Sequence, residues 1–171
     1  QTTGSGQIVG LPPGYQSMFP GQIRSLLGAT SGVLLAQQTA ANLHATVGSV
    51  VTVSSVGAAP FDVTVAGIVD LSNADALFQV IGPQRGVSPV APPDNVIILS
   101  DADWRAHFGE ATRRSGGGAR LQIHASLDHN RLPAAPDVAF STTTGMAKNF
   151  EVRAAGAAVI GDNISARLDA V

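Results

Sequence analysis

The clearest pattern of hydrophobic and polar positions lies in residues 31–70. Val33–Leu35 form a short apolar run typical of a buried strand, and apolar residues then recur at helical spacing within Ala36–Ala45. From Val51 the apolar period falls to two, and the same alternation returns at Phe61. We predict a strand, a small surface helix packed on one side, and two half-buried strands that pair as a hairpin.

Two signals mark the end of this region. Gly67 interrupts the second hairpin strand, which predicts a bulge or a close approach of packed chains at that point. Ser72 is followed three residues later by Asp75, as in a capping box, so a helix of one or two turns is predicted over residues 73–80.

A further strand and helix follow the next loop. Val96–Leu99 is an apolar run that predicts a strand. Ser100 is placed to cap a second short helix, with Asp103 at its third position. Leu99 before the cap and Trp104 at the fourth position have the spacing of a hydrophobic staple, which would fix how the helix leaves the strand.

The second half of the chain contains the most regular alternation. Apolar and polar residues alternate through Leu121–Leu127, which predicts a strand. A helix is predicted over Asp137–Lys148, with a low helix propensity because the segment contains three consecutive threonines and a glycine. A strand is predicted at Phe150–Arg153. This order of elements suggests a compact α/β half. Apolar residues in Gly161–Val171 share a helical face and predict a final helix.

These elements predict an α+β fold of mixed, mostly antiparallel strands with short helices, arranged as two small lobes. Residues 1–30 are rich in glycine and proline and are predicted to form an extended N-terminal arm. Residues 31–112 form a β-rich middle lobe that includes a Pro-rich loop at 81–94. Residues 113–171 form the α/β half, which leads to the C-terminal helix.

Composition restricts the function. Charged residues make up 13% of the chain and the formal net charge is −2, which argues against a nucleic-acid surface. There is no cysteine, so thiolate chemistry and disulfides are excluded. Apolar runs fall well short of the roughly 20 residues that cross a bilayer. Gln1 is not a natural start and Val171 lies inside a helical pattern, so we expect an excised soluble fragment whose flanks could hold membrane helices.

No sequence motif predicts a reaction. The chain has neither the G-x-S-x-G elbow of serine hydrolases nor a Gly-Lys pair for a phosphate loop. His124, Asp128 and His129 are close in sequence, but a metal site or an enzyme would need a further ligand to join them. Solvated surface residues are the preferred interpretation of this group. We therefore predict no catalytic residue, no cofactor and no metal.

The Pro-rich loop is the best candidate for an interaction surface. It carries four prolines in 14 residues, which lowers the entropy lost when a partner docks. The alternative is that the loop is a connector. The residues proposed for partner or substrate contact are Phe78, Arg85, Val90, Pro92 and Pro93.

Two quoted runs support a family resemblance. GVLLAQQTAANLHATVGSVVTV, followed by FDVTVAGIVD, resembles the extracytoplasmic (periplasmic core) domain of ABC-transporter permeases of the MacB, LolE and FtsX type. That family has a strand ending in the phrase V-x-G-I-hydrophobic-Asp, and Val65–Asp70 fits it. The resemblance is strong over Gly32–Asp70 and looser over Asp94–Val171, where Leu121–Val152 looks like a porter-like βαβ half.

The resemblance implies a non-catalytic domain on the periplasmic or extracellular face of the bacterial inner membrane. It would move mechanically in response to ATP hydrolysis elsewhere and support export or extraction of a substrate. Its partners would be the flanking transmembrane helices of the same permease and a cytoplasmic ATP-binding subunit or domain, with a second permease copy left open. The alternative is a free-standing, β-barrel-like domain that recognises a substrate or partner.

Overall fold

The computed structural model describes residues 2–78, 93–115 and 119–153. Within them, a five-stranded sheet and a two-stranded sheet combine with helices, which confirms the predicted α+β class. The strands are β1 (Gln7–Leu11), β2 (Arg24–Gly28), β3 (Leu34–Ala36), β4 (Val50–Ser55), β5 (Ala58–Thr64), β6 (Gly67–Asp70) and β7 (Val96–Ser100). The helices are α1 (Tyr15–Met18), α2 (Gln37–Leu43), α3 (Asp75–Phe78), α4 (Asp101–Ser115) and α5 (Pro136–Arg153).

The larger sheet has the strand order β1-β7-β3-β6-β2, so β3 lies at its centre. β1 runs parallel to β7 and β3 runs parallel to β6, whereas the other pairings in both sheets are antiparallel. The short strand β3 is aligned with β6 so that Leu35 is level with Ile68.

Both faces of this sheet are buried at its central strands β7, β3 and β6, whereas the edge strand β2 is largely exposed. Successive residues point to opposite faces, so Leu34 and Ile98 belong to one hydrophobic cluster while Leu35 and Ile97 belong to another. Helices α1 and α3 contribute to the first cluster, and α2, α4 and the β4–β5 hairpin contribute to the second. Burial on both faces explains the continuous apolar runs of β3 and β7.

The N-terminal residues are part of the sheet and do not form the predicted extended arm. β1 pairs along β7 over the full register from Gln7 to Leu11, and β2 pairs with β6 at the opposite edge. Gly10 is one reason why these residues form a strand of the sheet and not an extended arm. A Cβ atom there would lie 2.8 Å from the Cβ of Trp104, so this glycine permits close packing of α4 on β1 and does not mark a turn.

The predicted hairpin of residues 51–65 is confirmed. Val51 is opposite Val63 and Val53 is opposite Phe61, and Gly57 in the connecting turn has a φ of 82°. The Phe61 ring stacks on the His107 imidazole of α4, with the ring centroids 3.6 Å apart and the planes 3° apart. The hairpin is therefore anchored to the second hydrophobic cluster by aromatic contacts.

The two predicted helix caps have different outcomes. The Ser100 hydroxyl donates to Asp103 Oδ2 at 2.6 Å and accepts the Asp103 N–H at 3.0 Å, which confirms the cap of α4. Ser72 does not cap α3. Its N–H donates to Asp70 Oδ1 at 2.9 Å and its hydroxyl donates to the same oxygen, so α3 begins later, at Asp75.

The chain divides into two compact units: residues 1–78 with 91–123, and residues 79–90 with 124–171. The described part of the second unit contains a 3₁₀ turn at His129–Arg131 and helix α5. On α5, Ala139 and Thr143 are buried, and the Thr143 hydroxyl donates to the Ala139 carbonyl at 2.8 Å.

The strands predicted for the porter-like half do not form. Residues 119–128 adopt no regular secondary structure, because alternation specifies a half-buried strand only when another strand pairs with it. The prediction of a strand at Phe150–Arg153 is wrong, since α5 continues to Arg153. The helix predicted over Gly161–Val171 lies outside the described residues. None of the described helices is both long enough and apolar enough to cross a membrane.

Candidate functional site

A groove of about 460 Å³ lies where β3 and β6 end. These strands are parallel neighbours, with Ala36 level with Val69, so their carboxyl ends meet at one edge of the sheet. Crevices beyond the carboxyl ends of parallel strands commonly bind ligands in α/β proteins. The first residues of α2, the segment Asp70–Ser72 and the pair Pro93–Asp94 line the groove.

Asp70 is held by neighbours on both of its oxygens. Oδ1 accepts hydrogen bonds from the hydroxyl and the N–H of Ser72, whereas Oδ2 accepts Arg24 Nη2 at 2.7 Å and Nε at 3.1 Å. The Ser72 hydrogen bonds, followed by those of Arg24, lower the pKa of Asp70 to about 2. Asp70 therefore connects β6 to β2 as an ionised structural group at the base of the groove.

Asn95 follows Asp94, which lines the groove, and it makes hydrogen bonds to residues distant in sequence. Its Oδ1 accepts Asn42 Nδ2 at 3.0 Å, its Nδ2 donates to the Ser5 carbonyl at 3.3 Å, and its own carbonyl accepts the Gln7 N–H at 2.8 Å. One buried side chain thus connects α2, the N-terminal segment and the start of β7. Sequence reasoning missed Asn95, because an asparagine before an apolar run looks like an ordinary loop residue.

A second groove, of about 520 Å³, lies on the other side of α2. Its lining is mainly apolar and comes from Leu26 and Leu27 of β2, Ala40 and Ala41 of α2, and Ile68 of β6. Ala41 lines both grooves, so α2 separates them. Both are shallow and open to solvent, and their shape suits a protein surface or an extended segment better than an enclosed small molecule.

The structure describes two of the five residues proposed for partner contact. Pro93 is partly exposed and lines the groove beside Asp70. Phe78 is 3% exposed and belongs to the first hydrophobic cluster, where its ring packs within the core and does not reach a partner. Arg85, Val90 and Pro92 lie outside the described residues, as do residues 81–92 of the Pro-rich loop.

The histidine group considered in the sequence, His124, Asp128 and His129, belongs to the second unit. No three His, Asp or Glu side chains described by the structure lie close enough together to hold a metal ion. Burial lowers the pKa of His124. The side chain of His129 lies outside the described residues, so the sequence interpretation of this group stays a prediction.

No family model, no curated protein and no solved structure matches this chain. The resemblance to permease domains therefore rests on the residues of this chain alone.

The Asp70 network predicts a specific dependence of stability on pH. A carboxyl group whose pKa falls from 3.8 to about 2 on folding stabilises the protein above pH 3.8, and this contribution is lost as the pH falls through 2. Asp70→Asn should therefore be less stable than wild type near pH 6, and the difference should disappear as the pH approaches 2. The effect is modest, because Arg24 is 70% exposed and solvent screens the ion pair.

Denaturant unfolding of both proteins between pH 7 and pH 2 would measure this difference. Ser72→Ala is the matched variant, since it removes the hydroxyl hydrogen bond but keeps the carboxylate and Arg24. In this variant the pKa of Asp70 should fall less on folding, so the carboxylate should still stabilise the protein, but by less and with a loss over a narrower range of pH. A difference between wild type and Asp70→Asn that stays constant over the whole range would contradict the role assigned to Asp70.

Proposed function

We propose that this chain is the non-catalytic extracytoplasmic domain of an ABC-transporter permease of the MacB, LolE and FtsX type. In this proposal, ATP is hydrolysed by a cytoplasmic subunit or domain, and the outer domain moves in response to support export or extraction of a substrate. The observation that carries the proposal is the match of Gly32–Asp70 to the strand, helix, V-G turn and V-x-G-I-hydrophobic-Asp pattern of that family.

The positions of the matched residues in the fold support this proposal. Val65 and Val69 are 1% and 0% exposed, and Gly67 lies where β6 is packed most closely against neighbouring backbone. Asp70 connects β6 to β2 through Arg24. Each of these residues therefore has a structural role, as expected of a pattern that identifies a fold.

The surfaces next to α2 suit a domain that transmits motion. A sheet buried on both faces behaves as a stiff body, because close-packed interiors are poorly compressible. A partner that engages the groove beside Asp70 would therefore move the whole unit. Pro93, at this groove, remains a proposed contact residue. Arg85, Val90 and Pro92, which lie outside the described residues, also remain proposed contacts, whereas the buried Phe78 is not retained.

The first test is the gene that encodes this chain. We expect hydrophobic segments of about 20 residues on both sides of it. The full-length protein should remain in the membrane fraction after alkaline carbonate washing, and protease added outside intact spheroplasts should cleave within residues 1–171. It should also copurify in detergent with an ATP-hydrolysing subunit or contain such a domain itself.

Two results would refute the proposal. A parent gene without flanking hydrophobic segments would favour the free-standing recognition domain instead. A membrane protein that is cleaved only after the spheroplasts are lysed would place the domain on the cytoplasmic side, which the mechanism does not allow. An outer-membrane marker and a cytoplasmic marker would serve as controls for spheroplast formation and integrity.

A further inference from the structure

Helix α5 carries an apolar stripe that is buried at its start and exposed at its end. Four residues follow one another at helical spacing and so lie along one side of α5: Ala139, Thr143, Met146 and Phe150. Ala139 and Thr143 are buried, whereas Met146 is 64% exposed and Phe150 is 44% exposed. The last two turns of α5 therefore present an apolar surface that the described residues leave uncovered.

The sequence after α5 contains a stripe of the same kind. The helix predicted at the end of the chain lies outside the described residues, and in its sequence Ile164, Leu168 and Val171 share one helical face, with Asp169 on the opposite one. An isolated helix this short is marginal in water, so its stability has to come from packing of its apolar face. Such a helix needs an apolar surface to pack on.

The two stripes match when the helices run antiparallel. One register brings three positions of the segment onto three positions of α5, in the pairs Phe150–Ile164, Met146–Leu168 and Thr143–Val171. In both helices the steps along this series are four residues and then three, which are the steps by which side chains interlock between packed helices. The last pair lies where the buried part of the stripe begins, so the two apolar regions are continuous.

The chain between the two helices has a suitable length. Helix α5 ends at Arg153, and Asp162 is a preferred N-cap residue for the second helix, which leaves residues 154–161 to reverse the chain. Connections of about two to eight residues commonly join packed helices. The register above is centred on Ala157, inside this connection. A tether this short gives an effective concentration on the order of millimolar, which favours the segment over a second copy as the occupant.

We propose that residues 162–171 dock on α5 as an antiparallel helix and cover Met146 and Phe150. The exposed stripe, the matching spacing and the length of the connection all point to this segment as the occupant. Residues 124–171 belong to one compact unit, so the docking completes the core of that unit. The proposal does not depend on the permease function.

Disulfide trapping tests the register, because the chain has no cysteine of its own. Met146→Cys/Leu168→Cys should form an intramolecular disulfide under mild oxidation, seen as loss of free thiols in a protein that stays monomeric on a non-reducing gel. Met146→Cys/Asp169→Cys is the matched control, since its tether is almost the same but Asp169 lies on the opposite helical face. The first pair should close at least about tenfold faster than the second.

Two phenylalanines of α5 give an independent test. Phe140 and Phe150 are 43% and 44% exposed, but only Phe150 lies on the stripe. Phe150→Gln should therefore lower the melting temperature by at least about 4 °C more than Phe140→Gln does. In a chain that already carries Ile164→Gln, the additional effect of Phe150→Gln should largely disappear, because both changes remove the same contact.

Three results would contradict the proposal in proteins that circular dichroism shows to be folded. Equal rates of closure for the two cysteine pairs would mean that Leu168 does not face Met146. Equal melting temperatures of the Phe140→Gln and Phe150→Gln proteins would mean that nothing covers the stripe. Disulfides that join two chains, with a yield that rises with protein concentration, would assign the stripe to a second copy instead.

Discussion

Replacement of Gly67 by alanine is expected to lower the free energy of unfolding by about 3 kcal/mol. A Cβ atom at this position would lie 2.2 Å from the carbonyl oxygen of Ala29 and 3.0 Å from Cδ2 of Leu34. The first contact involves backbone, so a rotation of a side chain cannot relieve it. The chain next to β2 would have to move away, although the Ala29 N–H is hydrogen-bonded to the Ala66 carbonyl at 2.9 Å.

Gly109→Ala is the matched control for this prediction. A Cβ atom at Gly109 has its nearest contact at 3.9 Å, with the Cβ of Arg105, which is ordinary van der Waals distance. Since Gly109 lies within α4, alanine there should stabilise the protein by up to about 1 kcal/mol through its higher helix propensity. Denaturant unfolding of the two variants should give shifts of opposite sign. A Gly67→Ala protein as stable as the wild type would show that the strands separate readily at this point.

This result bears on the family phrase as well as on stability. Gly67 is the glycine of the phrase that ends at Asp70, and its position is explained by the close approach of backbone from residues 27–29. If Gly67→Ala is destabilised as expected, the glycine of the phrase is required by the packing of the fold. A resemblance that rests on such positions concerns the fold alone, and the proposed function needs its own test.

Local patterns predicted the fold well where neighbours in sequence are neighbours in space. The hairpin of β4 and β5 pairs across a short turn, so its alternation, its turn and its register are all present in residues 50–64. Strand β1 was not predicted, because its partner strand is distant in sequence. Gln7 pairs with Val96, and nothing in a glycine-rich N-terminal segment indicates a partner so distant in sequence.

Distance along the chain also explains the remaining differences. The alternation at Leu121–Leu127 is regular, but no strand in the described chain pairs with it, so the most regular strand pattern in the sequence forms no strand among the described residues. A groove lies beside Asp70, at the end of β6. The roles of Arg24, which binds Asp70, and of Asn95, which binds Asn42, were not predicted, because each contact is distant in sequence.

Thr39 is another long-range contact, and its replacement should also have a large effect. Its side chain lies on α2 and is 5% exposed. The hydroxyl donates to the Val96 carbonyl at 3.1 Å and accepts the Val96 N–H at 2.7 Å, so one side chain satisfies both polar groups of a buried residue at the start of β7. Thr39→Val keeps the shape but removes both hydrogen bonds. Two unsatisfied buried groups should cost about 2–4 kcal/mol in the free energy of unfolding.

Thr39→Ser separates this loss from the loss of packing. Serine keeps the hydroxyl and lacks only the methyl group, so it should cost about 1 kcal/mol, the usual value for one buried carbon. Urea unfolding should therefore rank wild type first, then Thr39→Ser and then Thr39→Val. The reverse order of the two variants would mean that packing of the methyl group, and not hydrogen bonding to Val96, holds α2 against β7. The part of α2 that lines the groove beside Asp70 would then be held in place by hydrophobic contact alone.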